Sequence, residues 1–162
     1  MKIAFKMKTY NILSIEDFKT IIQNNSRLLG IDPGKTNIGL AICDENKKVA
    51  TPLKTLHKSK FEDLIYKIKQ IIDENHIKGI VIGNPLNMDG TIGKSAQSAN
   101  DFAKNLSKNI TIPVTMWDER LSSEASFKIT NKLGTNITNR VNKLDKNAAA
   151  FILQGAIDYL SN

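Results

Sequence analysis

Asp32 closes the apolar run Leu28-Leu29-Gly30-Ile31, Asp118 and Glu119 stand together after Trp117, and Asp145 opens a helical apolar pattern near the end of the chain. Each of these carboxylates lies where a predicted element meets a loop. Acids that are scattered along a chain and converge in its fold are oxygen ligands for hard divalent cations, Mg²⁺ or Mn²⁺. Two such cations activate a water and stabilise the leaving oxygen of a phosphodiester, so the pattern points to metal-dependent cleavage of nucleic acid. A formal net charge of +7 over 162 residues suits a polyanionic substrate.

Each acid has a plainer reading beside the functional one. Asp32 is followed by Pro33-Gly34-Lys35-Thr36-Asn37, where glycine lets a backbone approach a phosphate and an acid at the strand's edge can reach a metal. Asp-Pro-Gly is equally good chemistry for a hairpin turn. Adjacent residues at the end of a strand point opposite ways, so only one of Asp118 and Glu119 faces the metals; Asp118 is preferred and Glu119 stays open. Arg120 is either a bidentate clamp on the scissile phosphate or the salt-bridge partner that makes two neighbouring carboxylates tolerable. Asp145 precedes Ala148, Ala149, Ile152, Ala156 and Tyr159 on one helix face. There an acid is an N-cap or, because alanines let the helix lie close to the sheet, a metal ligand beside Asp32 and Asp118. The expected metal set is Asp32, Asp118 and Asp145.

Between Ala125 and Leu144 the cations Lys128, Lys132, Arg140 and Lys143 are interrupted by no acid. Such a segment either tracks a phosphate backbone or is an ordinary solvated loop. Lys54, His57, Lys58 and Lys60 form a second basic cluster with the same two readings. His57 and His76 have no partner at ligand spacing and receive no catalytic role. Trp117 and Cys43 read as core.

The elements that must position these residues follow from periodicity. Three strands in a meander run from Arg27 to about Leu56, and Phe61, Leu64, Ile65, Ile68, Ile71 and Ile72 mark one face of a helix behind the capping-box spacing of Ser59 and Glu62. A buried strand over residues 79–83, a loop with an Asp89-Gly90 turn, a helix with the small face Ala96, Ala99 and Ala103, and a strand ending at Trp117 come next. A helix from about Ser122, a loop near 130–144 and a helix from about Asp145 to Leu160 complete the α/β order. Residues 1–26 read as an extension with an amphipathic stretch at Ile15, Phe18, Ile21 and Ile22, and residues 27–162 as one domain. The extension is either a packing helix or a frayed arm, with Met7 as an alternative start. One cysteine excludes an internal disulfide framework and a Cys-based zinc site, and no apolar run reaches the length of a membrane span or a signal-peptide core. A cytoplasmic protein with no membrane partner is expected, as a monomer or weak homodimer.

Gly30-Ile31-Asp32-Pro33-Gly34 with Ile38-Gly39-Leu40-Ala41, Gly83-Asn84-Pro85-Leu86-Asn87-Met88-Asp89-Gly90, Asp118-Glu119-Arg120-Leu121-Ser122-Ser123, and Asp145 before Ala148-Ala149 together resemble the YqgF (RuvX) family. The resemblance implies a ribonuclease H-like fold: a five-stranded mixed sheet, three antiparallel strands plus two parallel ones, with helices on both faces. It implies a bacterial nuclease that matures the 5′ end of pre-16S ribosomal RNA, historically described as a Holliday junction resolvase, with Asp32, the Asp118-Glu119 pair and Asp145 at the family's acidic positions. The substrate is then structured RNA, with DNA junctions as the alternative within the same chemistry, and phosphate contact at the Asp32 turn, where many members carry an arginine, is weaker or borne by Lys35. A non-catalytic nucleic-acid-binding module is the reading from another class, and retention of the acids argues against it. The Asp32 turn also looks like the phosphate turn of actin-type ATPases, which need two related domains where this chain has one.

Overall fold

The computed structural model describes residues 11–121 and 144–162, with side chains described for 11–121 and 147–162. The helix expected from Ser122 and the stretch bearing Lys128, Lys132, Arg140 and Lys143 lie outside the described residues. Six strands, rather than the expected five, make one sheet. The additional strand is β1 (Ile12–Leu13), which pairs in parallel with Val114 and Thr115. Two residues carry no readable alternation. Asn11 recruits them: its carbonyl accepts the Val114 N–H at 2.8 Å and its side-chain amide donates to the Ile110 carbonyl at 2.8 Å.

Helix α1 (Ile15–Ile21) follows, with the Ser14 hydroxyl accepting the Asp17 N–H as its N-cap. It buries Phe18 completely. Gly79 makes room for that ring, since a Cβ there would lie 2.7 Å from Phe18 Cζ. The meander is β2 (Arg27–Pro33), β3 (Asn37–Cys43) and β4 (Ala50–His57), antiparallel throughout. Helix α2 (Phe61–Glu74) has Lys60 at its N-cap without a side-chain cap. The expected capping box does not form, because the helix starts one residue late and Ser59 turns its hydroxyl to the Lys60 carbonyl at 3.5 Å.

Then come β5 (Ile77–Asn84), α3 (Lys94–Ser107), β6 (Val114–Asp118), a single 3₁₀ turn (Glu119–Leu121) and α4 (Leu144–Leu160). The sheet order is β1-β6-β5-β2-β3-β4, with β2, β5, β6 and β1 parallel. Period-two alternation divides the core into two layers. Leu29, Ile31, Ile80 and Ile82 face α2 and α3, whereas Leu28 and Val81 face α4 and Phe18. No described helix is long and apolar enough to cross a membrane.

Helix α4 lies close to the sheet because β2 offers it a glycine. A Cβ on Gly30 would stand 2.7 Å from Leu153 Cβ and 3.0 Å from the Ala149 carbonyl oxygen, atoms that move only with the helix. Gln154 fastens the same helix to the edge of the sheet: its Oε1 accepts the Ala50 N–H at 2.8 Å, and its Nε2 donates to the Lys48 carbonyl at 3.0 Å. Gly30→Ala is therefore expected to destabilise the fold by ~1–3 kcal/mol, the usual cost of overpacking, as a lower urea midpoint. An unchanged midpoint would show that α4 yields freely.

Candidate active site

Asp32 lies on the same face of β2 as Gly30, two residues further on, and so on the side of the sheet covered by α4. Glu119 comes to it from β6 across the intervening strand β5. Along β6 and into the turn, Val114 joins the α2/α3 layer and Trp117 the α4 layer. Asp118 then falls away from α4, and Glu119 returns toward it. Its carboxylate lies over Gly83, where a Cβ would sit 3.0 Å from Glu119 Oε1. Gly83 is the residue of β5 next to Ile82, the partner of Ile31, so the lane from Glu119 to Asp32 is cleared by a missing side chain.

The two acids share a cleft of about 570 Å³. Ala148 of α4 lines it with them. The rest of its lining comes from the turn Pro33-Gly34-Lys35, from Pro85, and from Lys94, Ser95 and Ser98 of α3. Burial pushes the Glu119 carboxyl above its ordinary value, and the negative charges of Asp32 and Asp118 push the same way. A half-buried acid beside a second acid is a donor set whose charge a divalent cation would balance. All its ligand atoms are hard oxygens, which fits Mg²⁺ or Mn²⁺.

Asp118, expected as a metal ligand, is placed elsewhere. It accepts Arg120 Nη2 at 2.7 Å, Nε at 3.0 Å and the Arg120 backbone N–H at 3.0 Å. The side-chain hydrogen bonds from Arg120 hold its carboxyl below the usual range. Arg120 Nη1 donates to the Met88 carbonyl at 3.3 Å, and the guanidinium packs 3.4 Å from the Cβ position of Gly90. Of the two roles open to Arg120, the structure shows the salt bridge, and it adds a tie to the loop of residues 85–93.

Among the described residues no three acidic, His or Cys side chains form a ready metal-binding group. Two converge, Asp32 and Glu119. Asp145 occupies the first turn of α4, one turn ahead of Ala148, which lines the cleft. Lys35 lies at the cleft, and Lys58 donates to the Gly34 carbonyl at 3.4 Å, which puts one member of the second basic cluster against the same turn. His57 Nδ1 sits 3.3 Å from Asn37 Oδ1. Trp117 is buried against Tyr159, with ring centroids 5.8 Å apart, and offers no face to a base. Lys94, Ser95 and Ser98 escaped the sequence reading. Their signal is a Gly93-Lys94-Ser95 entry to a helix whose Ser95 and Ser98 share one face.

The raised Glu119 carboxyl has a consequence for stability. A folded-state pKa above the unfolded one costs stability once the group ionises, and that cost is absent below the unfolded value. Glu119→Gln is thus expected to raise Tm at pH 7 in chelator, with the gain vanishing as pH falls below about 4. Mg²⁺ should raise the wild-type Tm more than that of the variant. Equal responses to Mg²⁺ in the two proteins would remove Glu119 from the metal site.

The family model described as RuvX, Holliday junction resolvase, matches residues 26–159. A protein of Pelagibacter ubique named "putative pre-16S rRNA nuclease" is 52% identical over 151 residues, 93% of this chain and 100% of its own length. That span takes in most of the segment ahead of Arg27. A protein of the same name from Ruegeria pomeroyi is 41% identical over 92% of this chain and 97% of its own. Among solved structures, Thermus thermophilus RuvC in complex with a Holliday junction substrate aligns with 85% of this chain and 96% of its own at a TM-score of 0.55 and 11% identity. Thermus thermophilus RuvC alone gives 0.52 at 13% identity, over 82% and 95% of the two chains. At these identities the likeness is one of fold, and the fold is the ribonuclease H-like one.

Proposed function

The chain belongs to the RuvX family, and from that premise we propose that it is a nuclease that hydrolyses phosphodiester bonds at the 5′ end of pre-16S ribosomal RNA. The observation that carries the reading is the meeting of Asp32 and Glu119 in one cleft that Lys35 and Lys94 also line. Acids and cations lining one cleft suit a site that cuts a polyanion.

Asp32 and Glu119 would hold the divalent ion, with Asp145 from the first turn of α4 as the third acid. Bound there, Mg²⁺ or Mn²⁺ supplies a lowered water pKa and charge stabilisation at the phosphate. The chain's own part is to aim the ligands. Arg120 neutralises Asp118 and keeps that carboxylate out of the cleft, so Glu119 alone of the pair faces Asp32. Lys35 and Lys94 balance the charge of an entering strand.

The test is cleavage of a ribosomal RNA precursor and a four-way DNA junction, side by side in Mg²⁺ or Mn²⁺. Shortening of the precursor at its 5′ end supports the reading. Cleavage of the junction alone moves the function to recombination, and binding of both without cleavage leaves a non-catalytic module.

A further inference from the structure

We propose that Met88 is a wedge that packs against an unstacked nucleobase of the substrate strand beside the cleft; the proposal rests on the nucleic-acid substrate of the preceding section. Met88 is 90% exposed, at the tip of a turn. A single exposed apolar side chain is unremarked on most surfaces. Here two others, Ile92 at 62% and Leu121 at 60%, stand in the same short segments. Leu121 is next to Arg120, whose guanidinium holds the Met88 carbonyl, and Ile92 lies two residues before the cleft residue Lys94. Three large exposed apolar side chains thus belong to the loop before α3 and the 3₁₀ turn that Arg120 ties to it.

The tip is held firmly. The Asn87 N–H donates to the Thr91 carbonyl at 3.0 Å and the Gly90 N–H to the Asn87 carbonyl at 2.8 Å. Asp89 Oδ1 accepts the Thr91 hydroxyl at 2.7 Å and the Thr91 N–H at 3.0 Å, and Asn87 Nδ2 donates to Thr91 Oγ1 at 2.9 Å. Gly90, at φ +85°, closes the turn in the left-handed region that a side chain resists. Arg120 then ties this closed turn to the 3₁₀ turn that carries Glu119. An apolar tip fixed to the catalytic turn keeps its register with the cleft, whereas a solvated loop tip would not need such anchoring.

The occupant follows from the neighbouring chemistry. The adjoining cleft carries Lys35 and Lys94, and among the described residues neither ammonium is engaged in a hydrogen bond or ion pair. A ligand that offers anionic groups to the cleft and flat apolar faces to its rim is a nucleic-acid strand with its bases unstacked. Methionine suits the role, because an unbranched, polarizable thioether packs against an aromatic face. Apolar side chains of this kind unstack bases where they enter a strand. The substrate class is therefore a single-stranded or frayed segment in preference to a continuous duplex.

The test uses a short single-stranded RNA of alternating adenine and 2-aminopurine, bound in Mg²⁺ to the Asp32→Asn protein so that no cutting intervenes. Binding is expected to raise 2-aminopurine fluorescence several-fold as stacking is lost. Adding Met88→Ala should abolish that rise and weaken Kd about tenfold, roughly 1.4 kcal/mol. Met88→Leu should restore both, and the Tm of all three should agree because the side chain is exposed. The same sequence in duplex form should bind about tenfold more weakly than the single strand. Equal fluorescence and Kd with and without the Met88 side chain would overturn the wedge. A wild-type protein that unstacks this RNA and cuts none of its substrates would overturn the nuclease reading and leave the wedge standing.

Discussion

Asp32→Asn is expected to lower the rate of phosphodiester cleavage roughly a thousandfold or more, with the fold and the affinity for nucleic acid retained. The substitution keeps the size of the side chain and removes one of the two charges that face each other in the cleft. A carboxylate that holds a catalytic divalent ion supports several kcal/mol of charge stabilisation at the phosphate, and each 1.36 kcal/mol is tenfold in rate, so about a thousandfold is the scale expected. Affinity should move the other way by a small amount, because a carboxylate in the cleft repels a phosphate backbone that enters it. Single-turnover cleavage with excess Mg²⁺, beside equilibrium binding of the same RNA, separates the two effects. Activity within tenfold of wild type would sink the assignment of Asp32.

The second large effect distinguishes two neighbouring acids. Glu119→Gln should reduce cleavage on the same scale as Asp32→Asn, since Glu119 is the member of the pair whose carboxylate lies over Gly83 toward Asp32. Asp118→Asn should cost only about 10–100-fold, the range seen when a group that orients a metal ligand is lost. Its carboxylate is occupied by Arg120, and its loss frees the guanidinium, loosening both the 3₁₀ turn and the tie to the Met88 carbonyl. The apparent Mg²⁺ affinity provides the second readout. It should fall steeply for Glu119→Gln and modestly for Asp118→Asn. The reverse order in both measurements would return Asp118 to the metal.

Much of the architecture was legible in the chain. The meander from Arg27, the buried strand before Asn84 and the strand expected to end at Trp117 all stand out by apolar runs between turn residues, and the structure has all of them, the last running one residue further to Asp118. Strand β1 was not legible, because two residues held by the Asn11 carbonyl and amide leave no periodic trace. The capping box at Ser59 was legible and misleading. Its spacing is right, yet the chain enters α2 one residue later, so a local motif was overruled by where the helix begins.

The candidate site divides in the same way. The residue types, their places at the ends of elements and the excess of positive charge are properties of the sequence, and they alone direct attention to Asp32, the Asp118-Glu119 pair and Asp145. A strand's end announces itself by local composition, which is why these positions could be read. What only the tertiary structure decided is direction. Glu119 rather than Asp118 faces Asp32 because alternation along β6 carries into the 3₁₀ turn and a glycine on β5 opens the lane between them. Lys94, Ser95 and Ser98 reach the cleft because α3 is delivered there by the loop that Arg120 fastens. Such contacts join residues far apart in the chain, and spacing records only neighbours along one strand or helix face.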